Sequence, residues 1–258
     1  KILFMGSPDF ALESLKKLVG SHHEIVGVIT QPDKPKGRGY TLTPTAVKAF
    51  AITEGIPAET PQTLKDGAIL PLLERWQPDC IVVIAYGKIL PEYVLSYPKY
   101  GCVNVHASLL PKYQGAAPIN FVLINGEKET GVTTMKMDAG IDTGAMLLKK
   151  STPILPSDDA GALHDRLAGL GADLLLETLD GLEKGEIVPE KQSGESCYVS
   201  KIDDAVKKLD FSQTAESIVN RIRGLSPFPT AFCFCGGKKM KVYKAEALDS
   251  REENNSAV

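Results

Sequence analysis

The sequence contains no C-x-x-C pair, no G-x-S-x-G elbow, no P-loop and no G-x-G-x-x-G turn. These absences leave a paired-thiol zinc site, a serine hydrolase, a P-loop phosphotransferase and an ordinary dinucleotide enzyme without support. The five cysteines, Cys80, Cys102, Cys197, Cys233 and Cys235, are an odd set, and Cys80 and Cys102 sit in apolar runs, so no disulfide framework follows. No stretch approaches a membrane span, and Lys1-Ile-Leu-Phe-Met-Gly6 runs straight into a strand pattern, so the expected compartment is the cytoplasm. A net charge of −3 argues against nucleic-acid binding by bulk electrostatics, though a local basic loop can still provide it. With 258 residues, 43% hydrophobic and 24% charged, the chain can bury a full-size core without staples.

Histidine is also scarce, and only one of the four stands where chemistry is expected. His22, His23 and His164 lie in polar or helical settings and read as surface residues. His106 falls in Asn104-Val-His-Ala-Ser-Leu-Leu-Pro111, after an apolar strand and before the turn Lys112-Tyr-Gln-Gly115. Asn104 and His106 are two apart, so on extended backbone both side chains leave the same face. A second polar stretch, Asp138-Ala-Gly-Ile-Asp-Thr-Gly144, joins the strand-like runs Val132 to Met137 and Ala145 to Thr152. A loop of that kind can bring a carboxylate beside a histidine on a neighbouring strand, where it would pair with the ring and fix its orientation.

The pattern alternates strand and helix. Ile2 to Met5, a helical stripe from Pro8 to Val19 and the apolar run Ile25 to Thr30 make a βαβ unit, and Cys80 to Ala85 has the uninterrupted apolar character of a buried parallel strand. The class is therefore α/β. Ligands in such sheets collect at the carboxyl ends of strands, where Gly6, Gly87 and the His106 segment fall. Ser157 or Asp158 is placed to cap a long helix carrying Leu163, Leu167, Leu170 and Leu174, which read as core. Residues 188–205 then read as a linker, and from 206 a smaller unit offers a helix, Ala215 to Arg223, and a hairpin turned by Gly236-Gly237. One helix and one hairpin cannot bury a core of their own, so this second unit reads as incomplete.

Phe4-Met-Gly-Ser-Pro-Asp-Phe10, Gln31 to Gly39, Ala85-Tyr-Gly-Lys-Ile-Leu-Pro91, Asn104 to Pro111, Gly115-Ala-Ala-Pro-Ile-Asn120 and Met137 to Gly144 together resemble the methionyl-tRNA branch of the formyltransferase family. That resemblance implies a Rossmann-like, mostly parallel sheet with flanking helices over 1–187, the linker, and over 206–258 the beginning of a β-barrel-like domain that contacts tRNA. It implies transfer of the formyl group of 10-formyl-tetrahydrofolate to the methionine amine of charged initiator methionyl-tRNA, for translation initiation, without a metal, a membrane or an obligate protein partner. The catalytic triplet would be Asn104, His106 and Asp142, with Asp138 the decoy. Folate contacts would come from Ser108, Leu109, Leu110 and Pro111, with the pterin near Tyr86, Gly87, Ile89 and Leu90. Lys34, Lys36 and Arg38 would reach the tRNA from a glycine-rich loop that is mobile without it. Tyr40 departs from relatives that often carry a basic residue there. Two other readings stay open: a sibling enzyme acting on a sugar nucleotide or glycinamide ribonucleotide, and a non-catalytic RNA-binding Rossmann-like module.

Overall fold

The computed structural model describes residues 1–36 and 40–248. In chain order it contains β1 (Ile2–Gly6), α1 (Asp9–Val19), β2 (Ile25–Ile29), β3 (Lys34–Lys36), β4 (Thr41–Thr43), α2 (Ala46–Thr53), β5 (Ala58–Glu59), α3 (Leu70–Trp76), β6 (Cys80–Ile84), α4 (Glu92–Leu95) and β7 (Cys102–His106). There follow β8 (Gln114–Gly115), α5 (Pro118–Ile124), β9 (Glu129–Lys136), β10 (Ala145–Pro153), α6 (Ala160–Lys184), β11 (Tyr198–Val199), α7 (Asp204–Lys207), α8 (Ala215–Leu225), β12 (Ala231–Cys235) and β13 (Lys238–Val242). Two compact units result: residues Lys1–Gln114, Gly131–Ser151 and Asp165–Cys197, and separately Gly115–Thr130, Thr152–His164 and the described chain from Tyr198 on.

The first unit is built on a seven-stranded sheet in the order β10-β9-β7-β6-β1-β2-β5. Every residue of β1 and β6 is buried, which is why these strands read as unbroken apolar runs. Strands β5, β2, β1, β6 and β7 run parallel, and β9 pairs antiparallel with β7. The chain goes out from β1 to one side and returns to the other through β6. The strand order thus reverses between β1 and β6, and the edge outside their carboxyl ends is where an open α/β sheet presents a crevice. On one face, Leu3, Met5, Ile81 and Val83 pack with Leu73, Trp76, Tyr86, Leu90 and Val94. Trp76 can lie flat on β2 only because Gly27 has no side chain: a Cβ there would stand 2.6 Å from the indole.

Helix α6 continues the unit over β7 and β9, where Thr178 Oγ1 lies 2.8 Å from Thr134 Oγ1. Leu163, Leu167 and Leu174 are buried as the stripe requires, while Leu170 is half-buried. Its cap differs from the sequence expectation. Asp159 Oδ1 accepts from the backbone N–H of Ala162 at 2.9 Å, whereas the carboxylate of Asp158 accepts from Leu155 N–H and closes the preceding turn. Among several acidic or hydroxyl residues in a row, only the backbone path selects which becomes the cap.

In the second unit α5 packs against α8, and Leu209, Ile222, Leu225, Ala231 and Cys233 form a small core with Ile124, Val206 and Ile218 against it. The helix and hairpin expected from residue 206 on therefore do not stand alone: α5, from the middle of the sequence, supplies the missing wall. Gly224 makes the close approach possible, since a Cβ there would lie 2.7 Å from Ile124, and Asn120 Nδ2 donates to the Gly224 carbonyl at 2.7 Å. Antiparallel β12 and β13 pair Ala231 with Val242 through Cys235 with Lys238.

The Gln31 to Thr43 segment, expected as an open loop, is partly paired: Lys34–Lys36 forms an antiparallel ribbon with Thr41–Thr43. The expectation for Arg38 and its flanking glycines lies outside the described residues. Among the described residues, no helix is long and apolar enough to cross a membrane.

Candidate active site

Strand β7 delivers Asn104 and His106 at its carboxyl end, with His106 opposite Thr133 on β9. His106 is buried, and its Nε2 lies 2.8 Å from the backbone carbonyl of Tyr113. A carbonyl can only accept, so Nε2 carries a proton and Nδ1 is the nitrogen left to gain or lose one. That Nδ1 faces Asp142 Oδ2 at 3.6 Å, too long for a hydrogen bond and within ion-pair reach once the ring is doubly protonated. Asn104 donates from Nδ2 to the Val83 carbonyl at 2.9 Å, which spends one of its two amide protons. Its Oδ1 is buried without a hydrogen-bond partner among the described residues, an arrangement that costs about 1–3 kcal/mol and leaves an acceptor for an incoming N–H.

Asp142 reaches the histidine because of a strained loop. Its φ is 54°, in the left-handed region that aspartate tolerates better than most residues, at a cost of about 1–3 kcal/mol. Gly144 is required two residues on: a Cβ there would stand 2.0 Å from the carbonyl oxygen of Lys136. Asp138 stays within the loop, where its Oδ1 accepts from Gly140 N–H at 2.9 Å and from Thr143 Oγ1 at 2.8 Å. The two carboxylates thus divide into one that shapes the loop and one that faces the imidazole.

Two glutamines that the sequence reading passed over hold this loop. Gln192 Nε2 donates to the Asp142 carbonyl at 2.7 Å and to the Gly144 carbonyl at 2.9 Å. Gln114 Nε2 donates to the same Asp142 carbonyl at 3.1 Å and to Gln192 Oε1 at 2.9 Å. Gln114 and Gln192 are 28 and 50 residues from Asp142 in sequence. No local spacing rule connects them, and only a residue held at positive φ hints that something must restrain it.

The residues expected to hold folate fall into two groups. Ser108, Leu110, Tyr86 and Leu90 are buried, and Ser108 Oγ donates to the Lys112 carbonyl at 2.7 Å within its own turn. Thr133 Oγ1 ties that turn down, donating to the Ser108 carbonyl and accepting from Leu110 N–H. Burial pushes the Tyr86 phenol up to about 12. Gly87 and Ile89 face outward, Ile89 with 78% exposure, and Leu109 and Pro111 are half-buried. Of the residues expected to reach tRNA, Lys34 is exposed on β3, Lys36 occupies the end of that strand, and Arg38 lies outside the described residues. Burial also pushes the Cys80 and Cys102 thiols up to about 12, which removes them as nucleophiles.

Comparison with known proteins agrees with this architecture. Residues 1–179 match the family model described as formyl transferase, and residues 201–257 match the formyl transferase C-terminal domain. The chain is 51% identical over 252 residues to a methionyl-tRNA formyltransferase of Alkaliphilus oremlandii, covering 97% of this chain and 81% of that protein. It is 50% identical over 251 residues to a methionyl-tRNA formyltransferase of Caldanaerobacter subterraneus, with 96% and 81% covered. Among solved structures, an N-formyltransferase from Helicobacter canadensis in complex with folinic acid and dTDP-3-aminofucose shares the fold, with a TM-score of 0.70, 23% identity and 95% and 86% of the two chains covered. On both the family models and the near-half identity along almost its whole length, the chain belongs to the formyl transferase family, in its methionyl-tRNA formyltransferase branch.

Proposed function

We infer that this enzyme transfers the formyl group of 10-formyl-tetrahydrofolate to the amino group of methionine on charged initiator tRNA, with Asn104, His106 and Asp142 as its catalytic residues. The observation that carries the mechanism is the orientation of His106. Its Nε2–H is held by the Tyr113 carbonyl while Nδ1 is turned toward the Asp142 carboxylate.

The methionine amine attacks the formyl carbon directly, so no covalent enzyme intermediate is needed. As the new C–N bond forms, the amine must lose a proton and the carbonyl oxygen gains charge. His106 Nδ1 takes that proton, and the imidazolium that results faces Asp142. The amide proton of Asn104 not spent on Val83 stabilises the oxyanion, a role in which one donor is typically worth ~10²–10³-fold in rate. The buried Oδ1 of the same side chain orients the amine by accepting one of its hydrogens. Collapse then breaks the bond to the folate nitrogen, which receives the proton from His106, and the enzyme returns to its starting state.

The described residues suit a flat, partly apolar co-substrate. Ile89 offers an exposed aliphatic surface beside the bare backbone of Gly87, while Tyr86 and Leu90 are locked in the core and act as the floor that holds that segment. Ser108, Leu110 and Pro111 shape the turn through its backbone groups, and Leu109 adds apolar surface. We assign 1–187 to catalysis, 188–205 to a linker and the chain from 206 to a domain that contacts tRNA, with Lys34, Lys36 and Arg38 meeting phosphates nearer the reacting end. We assign the enzyme to the cytoplasm, as suits an acceptor that is a charged tRNA.

An acceptor assay tests the reading. With labelled 10-formyl-tetrahydrofolate, charged initiator tRNA should be formylated and an amino-sugar nucleotide or glycinamide ribonucleotide should not. Formylation of either small acceptor in preference to the tRNA would replace the reading with that of a sibling enzyme, and tRNA binding without formyl consumption would replace it with that of a binding module.

A further inference from the structure

His22 and His23, which the sequence presents as ordinary surface residues, meet the carboxylates of the last turns of α6. His22 Nε2 lies 3.4 Å from Glu183 Oε2 and 3.7 Å from Asp180 Oδ1, and His23 Nε2 lies 2.9 Å from that same Asp180 oxygen. One ligand atom from each of His22, His23 and Glu183 falls within 4.8 Å of the other two. Zinc bonds of roughly 2.0–2.2 Å in tetrahedral array put neighbouring donor atoms roughly 3.3–3.6 Å apart, so side-chain shifts of about an ångström bring the set around an ion. Ion pairing explains His23 and Asp180. His22 extends the set, standing within ion-pair reach of two carboxylate oxygens at once, as donors around a common centre would.

The cluster is held in place before any ion arrives. Ser21 Oγ donates to the Leu18 carbonyl at 2.6 Å and accepts from His23 N–H at 3.2 Å, which fixes the α1–β2 turn. Asp180 and Glu183, three apart on α6, share a helical face. They also stand at the carboxyl end of a 25-residue helix, where the backbone dipole favours a cation. His23 and Glu183 line a cavity of about 230 Å³, so solvent and ions reach them. We propose that His22 Nε2, His23 Nε2 and Glu183, with an Asp180 oxygen as a fourth donor, bind a divalent transition metal of the zinc class. The set sits at the amino end of β2, whereas Asn104 and His106 occupy the carboxyl end of β7, so the ion's role is to clamp the α1–β2 turn to α6. It would reinforce the ion pair Lys17 Nζ–Asp173 Oδ1, at 2.9 Å, between the same two helices.

The test uses chelator-stripped protein carrying Cys197→Ser and Cys235→Ser, which removes the two exposed thiols as rival ligands. Zn²⁺ binding is measured by calorimetry, Co²⁺ binding by visible absorption, and the thermal midpoint is followed with and without Zn²⁺. One equivalent of Zn²⁺ should bind and raise the midpoint, and Co²⁺ should give the intense bands of a four-coordinate site. His22→Ala and Glu183→Gln should each weaken binding roughly tenfold or more and abolish the thermal shift. Both side chains are at least 60% exposed, so the metal-free variants should keep the parent midpoint. No stoichiometric binding, or binding that both substitutions leave unchanged, would overturn the proposal.

Discussion

Replacing Gln192 should disable the enzyme without unfolding it. Gln192 makes three hydrogen bonds around the Asp142 loop: it donates to the carbonyls of Asp142 and Gly144 and accepts from Gln114. At about 0.5–1.5 kcal/mol net for each neutral bond, the gross stake is roughly 1.5–4.5 kcal/mol. The lower end applies, because Gln192 is half-exposed and water can replace it, and because the Asp142 carbonyl keeps the donor from Gln114. What is lost opposes the about 1–3 kcal/mol of strain stored at the left-handed Asp142. A loss near 1.5–2 kcal/mol therefore lets the loop relax and turns the carboxylate away from His106, lowering kcat/KM about 10–30-fold at 1.4 kcal/mol per decade. Steady-state formylation should be measured for the parent, Gln192→Ala and Gln192→Glu, with urea unfolding of each. Glutamate keeps the shape and lacks both N–H donors, so it should fall as far as alanine, while unfolding midpoints stay close to the parent. Gln192→Glu turning over within about twofold of the parent would refute the clamp.

Gly144→Ala should cost about 1–3 kcal/mol in urea unfolding and reduce activity with it, because its Cβ would enter the Lys136 carbonyl and the loop would have to move; an unchanged midpoint would contradict the close approach. At pH 8, Cys80 and Cys102 should resist alkylation while exposed Cys197 and Cys235 react, as mass spectrometry would show, and rapid labelling of Cys80 would contradict its burial. Those two thiols are raised in the fold from 9.0 to about 12, so above pH 9 the unfolded chain binds fewer protons than the native one. Their contribution to stability is whole below pH 9 and falls as pH rises toward 12, which unfolding at pH 7, 9 and 10.5 would reveal. Arg38→Ala should weaken formylation of charged tRNA by about 1–3 kcal/mol and leave folate binding in place; unchanged formylation would make this a merely solvated segment.

The parts of the fold visible in the sequence were those with local causes. β1 and β6 are buried on both faces, so their apolar runs announce parallel strands, and α6 shows its stripe of leucines. The Asn104 and His106 spacing, and the glycine-flanked Asp142 loop, identify the residues the structure brings to one strand end. What stayed hidden depended on distant partners. Gln114 and Gln192 look like any polar residues until the chain folds Asp142 between them. The wall that α5 lends to α8 cannot be inferred from either helix, because the complement is carried by Gly224 and Asn120, about a hundred residues apart. His22 and His23 read as surface because their carboxylate partners lie 161 and 157 residues away, at the far end of α6.

The central claim is that His106 moves the proton while Asp142 and Asn104 serve the same transition state. Single-turnover formylation of charged initiator tRNA by His106→Ala, Asp142→Ala and Asn104→Ala, with folate affinity measured on each, tests it most directly. The account predicts a fall in the formyl-transfer rate of at least ~10²-fold in every variant with folate affinity little changed, since these groups act mainly in the transition state. A near-normal rate in the His106 or Asp142 variant, or a loss explained wholly by weaker folate binding, would contradict it.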